Sequence, residues 1–205
     1  MAQLFVISAP SGTGKTSLIQ KVLDEELDSK TKLGISCTTR KKRDNEEEGI
    51  AYFFVNEEEF NKKIEEGKFL EYAKVFGNLY GTPKDWVEST ISQGFNVILE
   101  LDVQGALQVK NAFPDAKTIF IIPPSYEDLR NRLDNRGQDS KETIEKRLSE
   151  AKEEVISGKD FDFLLTNDDF DLAFMDLKYA MYSDSDINKE REAFTRKCLS
   201  HLLDQ

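Results

Sequence analysis

The chain has 205 residues, of which 39% are apolar and 33% charged, and carries a formal net charge of −11. This length suits one domain with a sizeable core, and no apolar run reaches the roughly 20 residues needed to cross a bilayer. Such acidity repels polyanions, so neither nucleic acid nor an anionic membrane is an expected partner. Cys37 and Cys198 lack C-x-x-C spacing and a disulfide framework and are expected as plain thiols. The single histidine, His201, reads as a solvated tail residue, so a histidine metal site or a histidine general base is not expected.

In chain order, Leu4-Phe5-Val6-Ile7 follows Met1 without a basic or long apolar leader; no secretory signal is expected, and the expected compartment is the cytoplasm. Residues 4–7, 97–101, 118–122 and 163–165 read as buried strands. Helical patterns follow each, over 17–27, 106–112, 125–136 and 172–182. This alternation predicts an α/β fold in which a parallel sheet carries helices on both faces. Residues 37–93 break the rhythm: Tyr52-Phe53-Phe54-Val55 leads to Asn56 as an N-cap with Glu59 at N3, then to a strand over 69–75 and a turn at Gly77-Asn78. They predict an inserted small mixed α+β lobe. The polar, arginine-bearing stretch 135–146 predicts a mobile lid leading into a helix that ends near Ser157. Residues 186–205 read as an amphipathic helix with Phe194, Cys198, Leu199 and Leu202 near one face, suited to packing or to self-association as a homo-oligomer.

Ala9-Pro10-Ser11-Gly12-Thr13-Gly14-Lys15-Thr16 lies between the first strand and first helix, the context in which a phosphate loop works. Gly12 and Gly14 let successive N–H groups turn inward, and the following helix adds its positive end. Lys15 can reach β and γ phosphates, and the Thr16 hydroxyl can ligate Mg²⁺. The pattern departs from the strict motif at Ala9, where a glycine is usual. A second signal is Val97-Ile98-Leu99-Glu100-Leu101-Asp102, an apolar strand that carries carboxylates to the end where an open α/β sheet binds ligands. Asp102 can hold a Mg²⁺-bound water, with Glu100 a weaker metal candidate; Asp102 can equally cap the helix that begins at Val103.

The motifs that follow are distinctive in combination. Ser36-Cys37-Thr38-Thr39-Arg40 with Arg43, Tyr52-Phe53-Phe54-Val55, Phe69-Leu70-Glu71-Tyr72-Ala73, Gly77-Asn78-Leu79-Tyr80-Gly81-Thr82 and Leu101-Asp102-Val103-Gln104-Gly105 occur in that order. With the phosphate loop, and with Asn135-Arg136-Gly137, Lys146-Arg147-Leu148 and Thr166-Asn167-Asp168-Asp169, the sequence resembles the guanylate kinase family over about residues 4–178. The resemblance implies a P-loop NTPase-type core (about 1–36, 94–134 and 158–205), a GMP-binding lobe (about 37–93) and a helical lid (about 135–157) in a single domain of residues 1–205. It implies transfer of the γ-phosphoryl group of ATP to GMP, with ATP as co-substrate and Mg²⁺ as cofactor.

The chemistry of those residues agrees. A GMP phosphate needs charge-assisted donors, which Arg40 and Arg43 supply beside the hydroxyls of Tyr52 and Tyr80. The family pattern sets Glu71 against the guanine N1–H and N2 amine, with the Ser36 and Thr82 hydroxyls serving the rest of that edge and Asp102 also near the acceptor. Adenine lacks the amine and presents an acceptor at N1, so it would leave a desolvated carboxylate unpaired. By resemblance, Arg132, Arg136 and Arg147 belong to the lid over the ATP phosphates, and Asn167 lies beside the adenine. Lys15, Arg40, Arg136, Arg147 and Asp102 are thus the expected catalytic set. Each residue alone also has an ordinary reading: half-buried aromatics, turn hydroxyls, a strand-surface charge at Glu71, solvated helix arginines. The rivals are another nucleoside monophosphate kinase and a non-catalytic binding module of the same fold.

Overall fold

A computed structural model describes residues 2–25, 30–75, 77–137, 139–183 and 188–205, without the side chain of Arg136. It has two sheets. One has five strands in the order β2-β7-β1-β8-β9 and the other four in the order β4-β3-β6-β5. The elements are β1 (Leu4–Ser8), α1 (Lys15–Glu25), β2 (Thr31–Leu33), β3 (Cys37–Thr38), β4 (Phe53–Phe54), α2 (Glu57–Glu65), β5 (Phe69–Val75), β6 (Asn78–Pro83) and α3 (Lys84–Ser92). They continue with β7 (Asn96–Glu100), α4 (Val103–Ala112), β8 (Lys117–Ile122), α5 (Tyr126–Arg136), α6 (Lys141–Gly158), β9 (Phe163–Thr166), α7 (Phe170–Tyr182) and α8 (Lys189–Leu203). The chain divides into two compact units, Met1–Val6, Lys30–Glu100 and Gln104–Ala116 in the first, and Ile7–Ser29, Leu101–Val103 and Lys117–Gln205 in the second.

In the first unit β2 runs parallel to β7, with Thr31 opposite Asn96, and α3 packs against β7 and β6. The four-stranded sheet is built on the β5–β6 hairpin, with Glu71 opposite Thr82 and Ala73 opposite Tyr80. Beside it β3 pairs antiparallel with β6, Thr38 opposite Tyr80. Helix α2 starts as its sequence dictates: Asn56 Oδ1 accepts from the Glu59 N–H at 2.8 Å while the Glu59 carboxylate accepts from the Asn56 N–H at 3.3 Å. That helix buries Phe60, which stacks on Phe69 with ring centroids 4.5 Å apart.

In the second unit β8 and β9 pair in parallel from Ile119 opposite Phe163 to Ile122 opposite Thr166. Ile119, Phe120, Ile121 and Ile122 are all fully buried, as expected of a strand covered on both faces. Helices α7 and α8 pack on β9, α1 on α7, and α6 on both α5 and α8. Side-chain caps set the helix starts: Ser125 accepts from the Asp128 N–H, Ser140 from Thr143, and Asp169 from Asp171 and Leu172. Among the described residues no helix is long and apolar enough to cross a membrane.

Several expectations shift. Helix α1 begins at Lys15 and its described part ends at Glu25, so residue 27 of the expected helix lies outside the described residues. Within the polar stretch 135–146, α5 runs to Arg136, Gly137 caps it at φ 61°, and α6 already starts at Lys141, in a lid expected to be helical. The buried face of the C-terminal helix consists of Thr195, Cys198 and Leu202, with Phe194 and Leu199 only half-buried. Helix α3, strand β2 and the length of α6 had no expectation.

Candidate active site

The residues singled out in the sequence gather into two clusters, one within each unit. In the second unit, β1 delivers the chain to the phosphate loop and α1 leaves it. Gly12 and Gly14 adopt φ of 95° and 97°, a region that L side chains rarely enter. A side chain there would also force its neighbours to shift. A Cβ at position 12 would stand 2.8 Å from Leu133 Cδ2, and one at position 14 would stand 2.6 Å from Asn167 Nδ2. Leu129 and Leu133 are fully buried, and burial of each contributes about 1.5–3 kcal/mol. The loop is thus seated directly on the core.

Four long side chains converge on that loop. The Lys15 ammonium donates to the Leu101 carbonyl at 2.8 Å. Arg132 donates to the Thr13 carbonyl at 3.3 Å and to the Asn167 carbonyl at 2.6 Å. Asn167 is 5% exposed, and its amide also donates to the Thr13 carbonyl, at 2.6 Å. Arg147, on α6, reaches the Ser11 hydroxyl at 3.4 Å and pairs with Asp139 at 3.1 Å. Arg132, expected over the ATP phosphates with the lid, joins the loop backbone to the residue that follows β9. The Arg136 side chain lies outside the described residues. Ala9 and Pro10 are buried and Thr16 and Asp102 exposed; Glu100, half-buried at the end of β7, belongs to the first unit. One residue not singled out from sequence belongs here: Glu154 of α6 is pushed up to about 7 by burial, against the pull of Lys15, with Asp102 and Glu150 adding repulsion.

In the first unit, Glu71 is 6% exposed, and the hydroxyl of its cross-strand partner Thr82 donates to its Oε1 at 2.6 Å. The strand-surface reading of Glu71 therefore fails: a β-bulge between Phe69 and Glu71 accompanies its placement in a buried polar pair. Two residues along β6, Tyr80 packs edge-on to Tyr52 at 5.9 Å, and the Arg40 guanidinium lies 5.4 Å from the Tyr52 ring centre. Thr38 fixes the backbone of this corner, its hydroxyl donating to the Leu79 carbonyl at 3.0 Å and accepting from the Arg40 N–H at 3.1 Å. Ser36 is half-buried, its carbonyl accepting from the Phe53 N–H at 2.9 Å, and Arg43 is exposed.

Glu46 had no expectation from the sequence. Its carboxylate takes the Arg40 guanidinium at 2.6 Å and the Arg43 N–H at 2.9 Å. That pairing holds Glu46 below the usual carboxylate range and, with a smaller contribution from Tyr80, pushes Arg40 above the usual arginine value. Glu46 thus gathers the arginine corner. The signal for it was present only as an acid six residues after Arg40, which no local periodicity marks.

A family model described as guanylate kinase matches residues 1–184. The chain belongs to the guanylate kinase family. It is 53% identical over 176 residues to the guanylate kinase of Hahella chejuensis, covering 86% of this chain and 84% of that one. It is 47% identical over 200 residues to that of Vibrio parahaemolyticus, covering 98% and 96%. Among solved structures it resembles the crystal structure of guanylate kinase from Anaplasma phagocytophilum, with a TM-score of 0.67 and 29% identity over 93% of this chain and 89% of that one. As a member of the guanylate kinase family the chain is a nucleoside monophosphate kinase, a phosphotransferase.

Proposed function

We infer that the chain moves the γ-phosphoryl group of ATP onto GMP, and that the two clusters divide the work. The observation that carries this is the buried Glu71–Thr82 pair, two residues along the same hairpin from the Tyr80, Tyr52 and Arg40 corner. A carboxylate held in a shielded pocket accepts from guanine N1–H and N2, with Ser36 and Thr82 completing the edge. Arg40, Arg43, Tyr52 and Tyr80 grip the phosphate. Residues of about 37–93 form the acceptor lobe, about 135–157 the lid, and the remainder the core that binds ATP.

On the donor side the loop amides cradle the phosphates, Lys15 and Arg147 neutralise charge on the transferred group, Arg136 joins them from the lid, and Asn167 borders the adenine. The acceptor is a phosphate already anionic at neutral pH, so no general base is required. Positioning and charge neutralisation carry the reaction, and closure excludes water that would otherwise hydrolyse ATP. The Lys15 bond to the Leu101 carbonyl links the loop to the segment that follows β7, so that Thr16 and Asp102 offer a hydroxyl and a carboxylate there. Such hard oxygen donors suit Mg²⁺, with Thr16 a direct ligand, Asp102 acting through water and Glu100 contributing weakly. Bound there, the ion would neutralise phosphate charge. The expected setting is the cytoplasm. The test follows ADP formation by the purified chain with ATP, Mg²⁺ and each of GMP, AMP, CMP and UMP. ADP should accumulate with GMP alone, and comparable kcat/KM with AMP would overturn the acceptor reading.

A further inference from the structure

Helix α8 contributes none of the residues assigned above, yet it presents polar groups to the very end of β9. Arg191, only 15% exposed, donates from Nε to Asp176 at 2.8 Å and from its terminal nitrogens to both oxygens of Asp168 at 2.8 and 3.1 Å. The same guanidinium donates to the Thr166 carbonyl at 3.1 Å. One turn on, Thr195 bonds the buried Thr166 hydroxyl at 3.0 Å. Residues 191, 195 and 198 fall on one helical face, and Cys198 is buried there too. A planar guanidinium forked on a carboxylate while reaching a main-chain oxygen fixes orientation as well as charge.

What it orients lies between those contacts. Asn167, bracketed by Thr166 and Asp168, donates its amide to the Thr13 carbonyl of the phosphate loop and gives its own carbonyl to Arg132, which also holds Thr13. Gly14 leaves no more room than this contact needs. Hydrogen bonds from α8 thus hold Thr166 and Asp168, the residues on either side of Asn167 in the chain, and Asn167 in turn holds the loop.

We propose that Arg191 is a positioning residue for the donor nucleotide, holding Asn167 and through it the phosphate loop in the geometry that receives ATP. The proposal rests on the donor-site reading above. Burial alone would raise Asp168, yet the Arg191 guanidinium and nearby backbone N–H groups outweigh it and keep the carboxyl below its ordinary range; Asp176, more deeply buried, is pushed up despite Arg191. Asp168 takes the two terminal nitrogens of the fork, and Asp176 takes Nε from α7.

The test measures ADP binding by calorimetry, with KM for ATP and for GMP, in Arg191→Ala, Arg191→Lys and Asp168→Asn, each checked by thermal melting. Loss of a charge-assisted bond predicts about tenfold weaker ADP binding and a matching rise in KM for ATP in Arg191→Ala, with KM for GMP within about twofold. Lysine, without the fork, should recover only part of that. Asp168→Asn keeps the pair with Asp176 and should weaken ADP severalfold, which keeps the test open if Arg191→Ala does not fold. Unchanged ADP binding in a folded variant, or equal weakening of ADP and GMP, overturns the proposal. Failure of the wild type to phosphorylate GMP would instead strike the functional reading, and the ADP measurement would still report on positioning.

Discussion

Glu71→Gln is the sharpest probe of acceptor recognition, because the carboxylate is almost fully shielded and its Oε1 is already held by Thr82 at 2.6 Å. The amide oxygen of glutamine can keep the Thr82 bond. Its NH₂ then occupies the position of the second carboxylate oxygen and meets a donor on guanine, so one acceptor contact becomes a donor facing a donor. A charged hydrogen bond lost in a desolvated pocket is worth about 1.5–3 kcal/mol, which predicts a fall of about 10- to 150-fold in kcat/KM for GMP. AMP offers an acceptor at N1 and no N2 amine, so its low activity should fall less. The GMP-to-AMP ratio must therefore shrink. The assay is kcat/KM for both acceptors in wild type and variant, with melting curves to confirm the fold. Thr82→Val is the companion: it keeps the charge but removes the Thr82 hydrogen bond, and should cost GMP less than Glu71→Gln does. An unchanged GMP-to-AMP ratio in folded Glu71→Gln would refute base reading by this residue.

Lys15→Ala should lower the rate of phosphoryl transfer by about 10²- to 10³-fold while leaving GMP binding intact, because it removes a donor aimed at transition-state charge; single-turnover rates near wild type would count against the loop assignment. Arg147→Ala should lower kcat more than it weakens GMP, as expected of a contact completed only in the closed state; an intact kcat beside a raised KM for GMP would refute the lid role. Glu154→Gln tests the half-buried acid on α6 by pH. A carboxyl raised to about 7 from 4.5 favours folding below pH 4.5 and loses that contribution as pH rises through 7. The amide that replaces it cannot ionise, so the variant should melt at the same temperature as wild type near pH 4.5 and higher than it above pH 7. After discounting for partial solvent screening the gain is about 1 kcal/mol, or about 2–4 °C at this chain length. A difference that does not change with pH would refute the assignment.

Strands β1, β7, β8 and β9 were legible because full burial writes itself as an unbroken apolar run, and their observed ends lie within one residue of the expected ones. The capping box at Asn56 and the strand over 69–75 were legible because their signals are local. Strand β2 was not: its three residues, Thr31, Lys32 and Leu33, form an edge that is largely exposed, with no apolar pattern to mark it. Helix α3 was hidden too, since its N-cap Pro83 makes no side-chain cap bond. The ordinary reading of Glu71 as a strand-surface charge, weighed beside its base-reading role, fails because register decides burial, and register is a property of the β5–β6 pair, not of either strand alone.

The same distinction separates the legible part of the site from the rest. A phosphate loop can be read because the residues that shape it are consecutive, and glycines at 12 and 14 are needed for backbone reasons whatever surrounds them. The contact that locks that loop joins Thr13 to Asn167, 154 positions away, and Arg132 reaches Thr13 across 119. No periodicity encodes such pairings. Resemblance marked Asn167 and Arg132 as residues near ATP, but only the fold connects them, and through Asp168 and Arg191 it extends the connection to a helix that the sequence reads as one for packing or self-association. Gly14 then has two reasons to be glycine: the loop needs its positive φ, and the Asn167 amide needs the space where a Cβ would stand. A change at Gly14 should therefore disturb the Asn167 contact even where backbone strain is tolerated, linking the most readable motif in the chain to its least readable partner.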